Sequence, residues 1–186
     1  MPGATFGKTS KLILGEVEAT LHGVREEEVS ALEDAIVEAG AVFVTGEGRS
    51  GLVAQCFAMR LCHLGLKCHA VGDTSTPPVG RGDLLVAVSG TGKSAVTRAR
   101  AQLAVESGAR VAAVTCEEDS ALAEGAALVV RIPAPSGEGG ETISVQYGGS
   151  LFEQCALLAL DAVALDLQRR LGQSREQMSA RHATVE

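Results

Sequence analysis

Apolar residues crowd consecutive positions in five short runs, at 41–45, 67–71, 83–88, 110–115 and 126–132. Between and before them lie stretches with the three-to-four-residue apolar spacing of helices, at 9–20, 25–39, 51–64, 94–107 and, more briefly, 119–125. Strands that are apolar on successive positions have both faces covered, and strands alternating with helices pair in parallel. The pattern therefore predicts a three-layer α/β/α sandwich with helices at the N-terminus. Carboxylates at Glu26, Glu27 and Glu28 suit the start of the second helix, where the helix dipole favours negative charge, and Gly40 is expected to end it. Residues 133–149 are rich in Gly, Pro and Ser, lack periodicity and read as a loop. A helix apolar nearly all round then runs from Ser150 to Leu171, which predicts burial by the sheet and by a second subunit. The polar tail after Gly172 is expected either to be disordered or to dock on a partner.

Composition narrows the class. The 186 residues, 46% hydrophobic and 21% charged, suit one domain: N-terminal helices over 1–39, an α/β core over 40–171 and a tail over 172–186. With 16 basic against 23 acidic residues the formal charge is -7 and no basic run exists, which argues against a nucleic-acid partner but leaves room for a small anion. No signal-like segment or long apolar run is present, so a cytoplasmic location is expected, away from membranes. Five cysteines, at 56, 62, 68, 116 and 155, form no CxxC pair and read as reduced, mostly buried thiols. No cluster has metal-ligand spacing.

Two glycine-rich turns carry the candidate chemistry. Gly46-Glu47-Gly48-Arg49-Ser50-Gly51 follows the first strand, and Ser89-Gly90-Thr91-Gly92-Lys93-Ser94 follows the third. A turn of this kind opening a helix leaves backbone N–H groups unpaired, a ready site for phosphate. Both turns lie at the carboxyl ends of strands, where open parallel sheets bind ligands. The second turn also satisfies a relaxed P-loop pattern with Ala87 in place of the first glycine. A P-loop needs an aspartate at another strand end to hold magnesium, and the ends near Thr115 and Ile132 offer none, so nucleotide hydrolysis is disfavoured.

Gly48-Arg49-Ser50-Gly51, the string from Phe57 to Gly65 (FAMRLCHLG), the strand start Gly82-Asp83-Leu84-Leu85, Gly149-Ser150-Leu151-Phe152-Glu153-Gln154 and the terminal RHATVE over 181–186 together resemble the sugar isomerase (SIS) superfamily. Within it they look most like the 6-phospho-3-hexuloisomerase family. The resemblance implies a five-stranded parallel sheet of flavodoxin-like order, a homotetramer with shared active sites, and no metal or organic cofactor. The implied reaction interconverts D-arabino-3-hexulose 6-phosphate and fructose 6-phosphate, a step of the ribulose monophosphate pathway. Several positions depart from the family pattern: Thr91, Lys93 and Ser94 stand where Ser, Glu and Thr are usual, Glu47 where a small residue is common, and Thr184 in place of Asn. Lys93 reverses a charge beside the expected phosphate, which leaves the substrate more open than the fold.

On this resemblance Glu153 is the general base, placed in the first turn of its helix; by position alone it is equally a helix-start carboxylate. His182, which in the family approaches a neighbouring subunit's site, is the acid/base for ring opening and the hydroxyl proton, against the plain reading of a solvated tail histidine. Arg49 would sit over the sugar and stabilise the enediolate. Gly48, Ser50, Ser89, Thr91, Lys93 and Ser94 are the phosphate and sugar contacts, with Gln146 a further sugar contact; Ser94 serves as readily as a helix cap. His63 is either packed in the core or interface or supports the site from behind. Two other readings compete, an isomerase of a different sugar phosphate and a non-catalytic sugar-phosphate-binding module.

Overall fold

A computed structural model describes residues 5–135 and 144–184. Part of the 133–149 loop, together with Val185 and Glu186 of the terminal motif, lies outside the described residues. Helices α1 (Phe6–Leu21) and α2 (Glu26–Glu38) lead into β1 (Val42–Gly46), α3 (Gly48–His63), β2 (Cys68–Ala70), β3 (Leu84–Val88), α4 (Ala95–Glu106), β4 (Arg110–Thr115), α5 (Ala121–Glu124) and β5 (Leu128–Arg131), and α6 (Ser150–Arg170) and α7 (Arg175–Ser179) close the chain. The five strands form one sheet in the order β2-β1-β3-β4-β5, with every pairing parallel. That is the flavodoxin-like order, whose direction reverses between β1 and β3.

Alternation along the strands divides the core between two faces. Val42, Val44, Leu84, Val86, Val88, Ala112 and Val114 point to the side covered by α1, α2, α3 and α6. Phe43, Leu85, Ala87, Val111 and Ala113 point to the other, covered by α4 and α5. Burying each large side chain contributes about 1.5–3 kcal/mol. The second face is lined by alanines of α4, Ala101 and Ala104, so that helix packs close to the strands.

Gly40 does not terminate α2. The helix ends at Glu38 because Ala39 turns extended, with ψ 139°, while the Gly40 N–H donates to the Gly82 carbonyl and ties the strand entry to the loop before β3. The tail is structured over its described residues: Ser174 and Gln177 form a reciprocal capping box that starts α7, and Arg181 fastens it to α3. Two of the five cysteines, Cys56 and Cys62, are exposed on α3 and are exceptions to the expectation of mostly buried thiols. The other three are sheltered: burial pushes the Cys68 and Cys116 thiols up to about 12 and Cys155 up to about 11, which makes them inert.

Candidate active site

The turn from β1 into α3 depends on two glycines. A Cβ on Gly46 would lie 2.9 Å from the Ser50 carbonyl and the Gly51 nitrogen, and one on Gly51 would lie 2.7 Å from the Gly46 oxygen. This close crossing lets the helix begin at Gly48, three residues before the expected start, so Arg49 and Ser50 sit in its first turn. Ser50 is buried against the strand end, whereas Arg49 projects outward. Glu47 turns away towards α4, where Arg100 bonds its carboxylate at 2.7 Å and the Thr45 hydroxyl at 3.1 Å. The departure at Glu47 thus has a partner inside the chain.

The turn after β3 stays in loop conformation through Ser94. Ser89 is buried at the strand end. Ser94 is the N-cap of α4, its Oγ accepting from the Thr97 N–H and hydroxyl. Lys93 therefore precedes the helix and Ser94 caps it, an arrangement that removes the P-loop reading in which both serve a nucleotide. Thr91 and Lys93 line a cleft of about 650 Å³, facing Glu117, Asp119, Gly149 and Phe152 across it.

α6 delivers the carboxylate. Its first turn begins at Ser150, and Glu153 Oε2 forms an ion pair with Arg49 Nη1 at 2.9 Å. The same Nη1 donates to Ser150 Oγ at 2.8 Å, and the Ser150 hydroxyl donates to the Tyr147 carbonyl at 2.8 Å. The Arg49 side chain is 57% exposed against 16% for Glu153, so the pair adds at most about 1 kcal/mol of stability. Its consequence is geometric: a base and a cation stand side by side at the N-termini of two helices, at the rim of the cleft beside Gly149.

His182 lies elsewhere in the chain. Its ring stacks on His63 with centroids 5.0 Å apart, and Arg181 donates to the His63 carbonyl at 3.0 Å and to Gln173 Oε1 at 2.9 Å. His63 ends α3 while Arg49 opens it, so the histidine pair and the carboxylate are about 20 Å apart along the helix axis. Gln146 is also redirected: its amide donates to Glu16 of α1 at 3.1 Å, the third bond that carboxylate accepts from residues 144–146. Sequence reasoning overlooked Glu16, because a single carboxylate on a helix face looks like any solvated one. Among the described residues no group of three or more His, Cys, Asp or Glu side chains is arranged to hold a metal ion, and no helix is long and apolar enough to cross a membrane.

Comparison with known proteins places the chain among families of the same fold. The SIS domain profile covers residues 35–158. A 3-hexulose-6-phosphate isomerase of Mycobacterium gastri is 44% identical over 94% of this chain and 88% of its own length. One of Bacillus subtilis is 39% identical over 94% and 95%. A solved protein of Methanococcus jannaschii, whose structure was described as inferring a molecular function of 3-hexulose-6-phosphate isomerase, superposes with a TM-score of 0.83 over 96% of this chain and 99% of that one, at 29% identity. With the sheet order, the two glycine turns and these relatives in agreement, the chain belongs to the SIS domain family.

Proposed function

We propose that this protein is a sugar-phosphate isomerase that interconverts D-arabino-3-hexulose 6-phosphate and fructose 6-phosphate. The observation that carries the proposal is the Arg49–Glu153 pair beside Gly149, which lines one cleft together with Gly90, Thr91 and Lys93 of the second turn. Relatives that share more than a third of their residues with it, over nearly its whole length, bear the same activity in their names.

Moving a carbonyl from C2 to C3 requires a proton to leave C3 and another to arrive at C2. Glu153 takes the C3 proton, which leaves a cis-enediolate, and returns it to C2 from the same face. Arg49, held against the carboxylate, balances the negative charge that grows on the oxygens. The hydroxyl proton moves between O3 and O2, the task assigned to His182. Ser50 and Thr91 supply hydroxyls and backbone N–H groups and Ser89 its hydroxyl to the sugar and phosphate, the Ser89 N–H being taken by the Val114 carbonyl, and Lys93 adds a cation at the phosphate end. Ser94 acts through the cap that orients α4, and Gln146 through the loop it anchors. The reaction moves only protons, and these residues account for each transfer without a cofactor.

Because His63 and His182 lie at the far end of α3 from Glu153, the reading requires a partner protomer to bring its histidines to the carboxylate. Exposed apolar residues on the α1, α3 and α6 layer support such an assembly: Leu12 and Leu14, Leu52 and Met59, and Leu158 and Leu165. The proposed state is a cytoplasmic homotetramer with shared sites, acting in the ribulose monophosphate pathway.

The test is to incubate the protein with fructose 6-phosphate in deuterated water and follow the sugar carbons by NMR. Deuterium incorporation together with a 3-hexulose phosphate is the expected result. Line broadening from binding without exchange would overturn it in favour of another sugar phosphate, a reading to which the charge of Lys93 lends support.

A further inference from the structure

We infer that Glu16 of α1 is a positioning residue for the Arg49–Glu153 pair, acting through residues 144–147 and the Ser150 hydroxyl. The inference rests on the isomerase reading above for its kinetic consequences, though not for its structural one.

Glu16 is half-buried on a helix that lies outside the matched SIS domain segment. Its carboxylate accepts from the Ser144 hydroxyl at 2.9 Å, the Val145 N–H at 2.7 Å and the Gln146 amide at 3.1 Å. Three donors on one carboxylate fix both the path of the backbone and two side chains of the segment that enters α6, and hydrogen bonds to an ionised acceptor are the stronger kind. One residue further on, the Tyr147 carbonyl accepts from Ser150 Oγ. That bond consumes the only proton of the hydroxyl and leaves its lone pairs for Arg49 Nη1, which in turn meets Glu153. A continuous series of contacts thus runs from α1 to the catalytic base. Every member but Arg49 belongs to α1, the entry segment or the first turn of α6. If the segment drifts, the Tyr147 carbonyl moves, the Ser150 hydroxyl is free to turn its proton towards Arg49, and the guanidinium loses one of the two oxygens that fix it beside the carboxylate. Gly148 and Gly149, which line the cleft, offer no side-chain packing to resist that drift, so the anchor has to come from outside.

The consequence is a defect in orientation rather than in affinity. In Glu16→Ala and Ser150→Ala, kcat should fall at least about tenfold while KM for fructose 6-phosphate changes by less than about threefold. Because both act on one series of contacts, the double variant should lie within about threefold of the poorer single one; losses that multiply would overturn the proposal, since two independent defects combine that way. A second readout needs no substrate. Hydrogen–deuterium exchange of the full chain, followed by mass spectrometry, should show amides over 145–153 opening at least about tenfold faster in Glu16→Ala, with β3 unchanged. Unchanged exchange there would overturn the proposal whatever the substrate proves to be. If the parent protein turns over no fructose 6-phosphate, the isomerase reading fails by itself and exchange still decides the role of Glu16. Should Glu16→Ala not fold, Glu16→Gln, which keeps one acceptor oxygen but faces the three donors with an NH₂, is measured in its place and judged by the same two results.

Discussion

At the scale of single residues, the arrangement separates groups that do chemistry from groups that make room for it. Glu153→Gln keeps the shape and removes the base, so kcat should fall by about two or more powers of ten while the thermal midpoint stays near that of the parent; turnover close to normal would remove Glu153 from the mechanism. The stability half of that expectation follows from the geometry, because an ion pair with a largely exposed arginine contributes little to folding. Gly51→Ala should do the reverse. The added methyl would sit 2.7 Å from the Gly46 oxygen, and relieving that clash means parting β1 from α3, with a loss of about 1–3 kcal/mol measurable by denaturant unfolding. The sequence motif marked both positions, but it could not reveal that Arg49 and Glu153 touch. They lie on different helices far apart in the chain, and only the sheet order brings the two N-termini together.

At the scale of elements, legibility followed the physical signal each one carries. The three central strands were plain because burial on both faces demands unbroken apolar runs, whereas β2 and β5 at the sheet edges are only partly buried. The start of α3 was misjudged because glycines discount helix propensity, whereas here tertiary crossing dictates them. α7 escaped notice because five residues show no periodicity, although Ser174 and Gln177 already spelled its capping box. The entry to α6 was read as loop, correctly, but its anchor on α1 is a tertiary contact with no local mark. That anchor has a pH signature. Burial raises the affinity of Glu16 for its proton, but the bonds from Val145, Gln146 and Ser144 outweigh it and hold the carboxyl below its ordinary 4.5. A depressed folded value means that the stability gained from ionised Glu16 is complete above the unfolded value and is lost as pH falls through the folded one. Thermal midpoints of the parent and of Glu16→Gln should therefore differ by a constant amount above about pH 5 and converge in more acidic solution. A difference that persists unchanged into acid would show that the bonds do not depend on the charge.

At the scale of the whole molecule, the central fact is that one chain carries the two halves of the proposed chemistry at opposite ends of the same helix. Arg49 opens α3 beside Glu153, and His63 closes it beside His182. Arg181 fixes the second half by donating to the His63 carbonyl at the end of α3, so the tail is held on its own protomer and cannot swing back to its own Glu153 without breaking those bonds. On the proposed mechanism a complete site requires two chains, one offering the carboxylate and the other the histidines, and the exposed apolar residues of α3 and α6 are the surface proposed to join them. Complementation tests this directly. Glu153→Gln and His182→Ala should each be nearly inactive alone. When they are mixed in equal amounts under conditions that exchange subunits, random pairing places an intact carboxylate opposite an intact histidine in about a quarter of the sites, so about a quarter of the parent rate should return. If each chain completed its own site, every chain in the mixture would still carry one defect and no activity would return. A mixture that stays inactive, although light scattering and labelled subunits show that exchange took place, would therefore place the whole site within one protomer and remove His182 from the proton transfer.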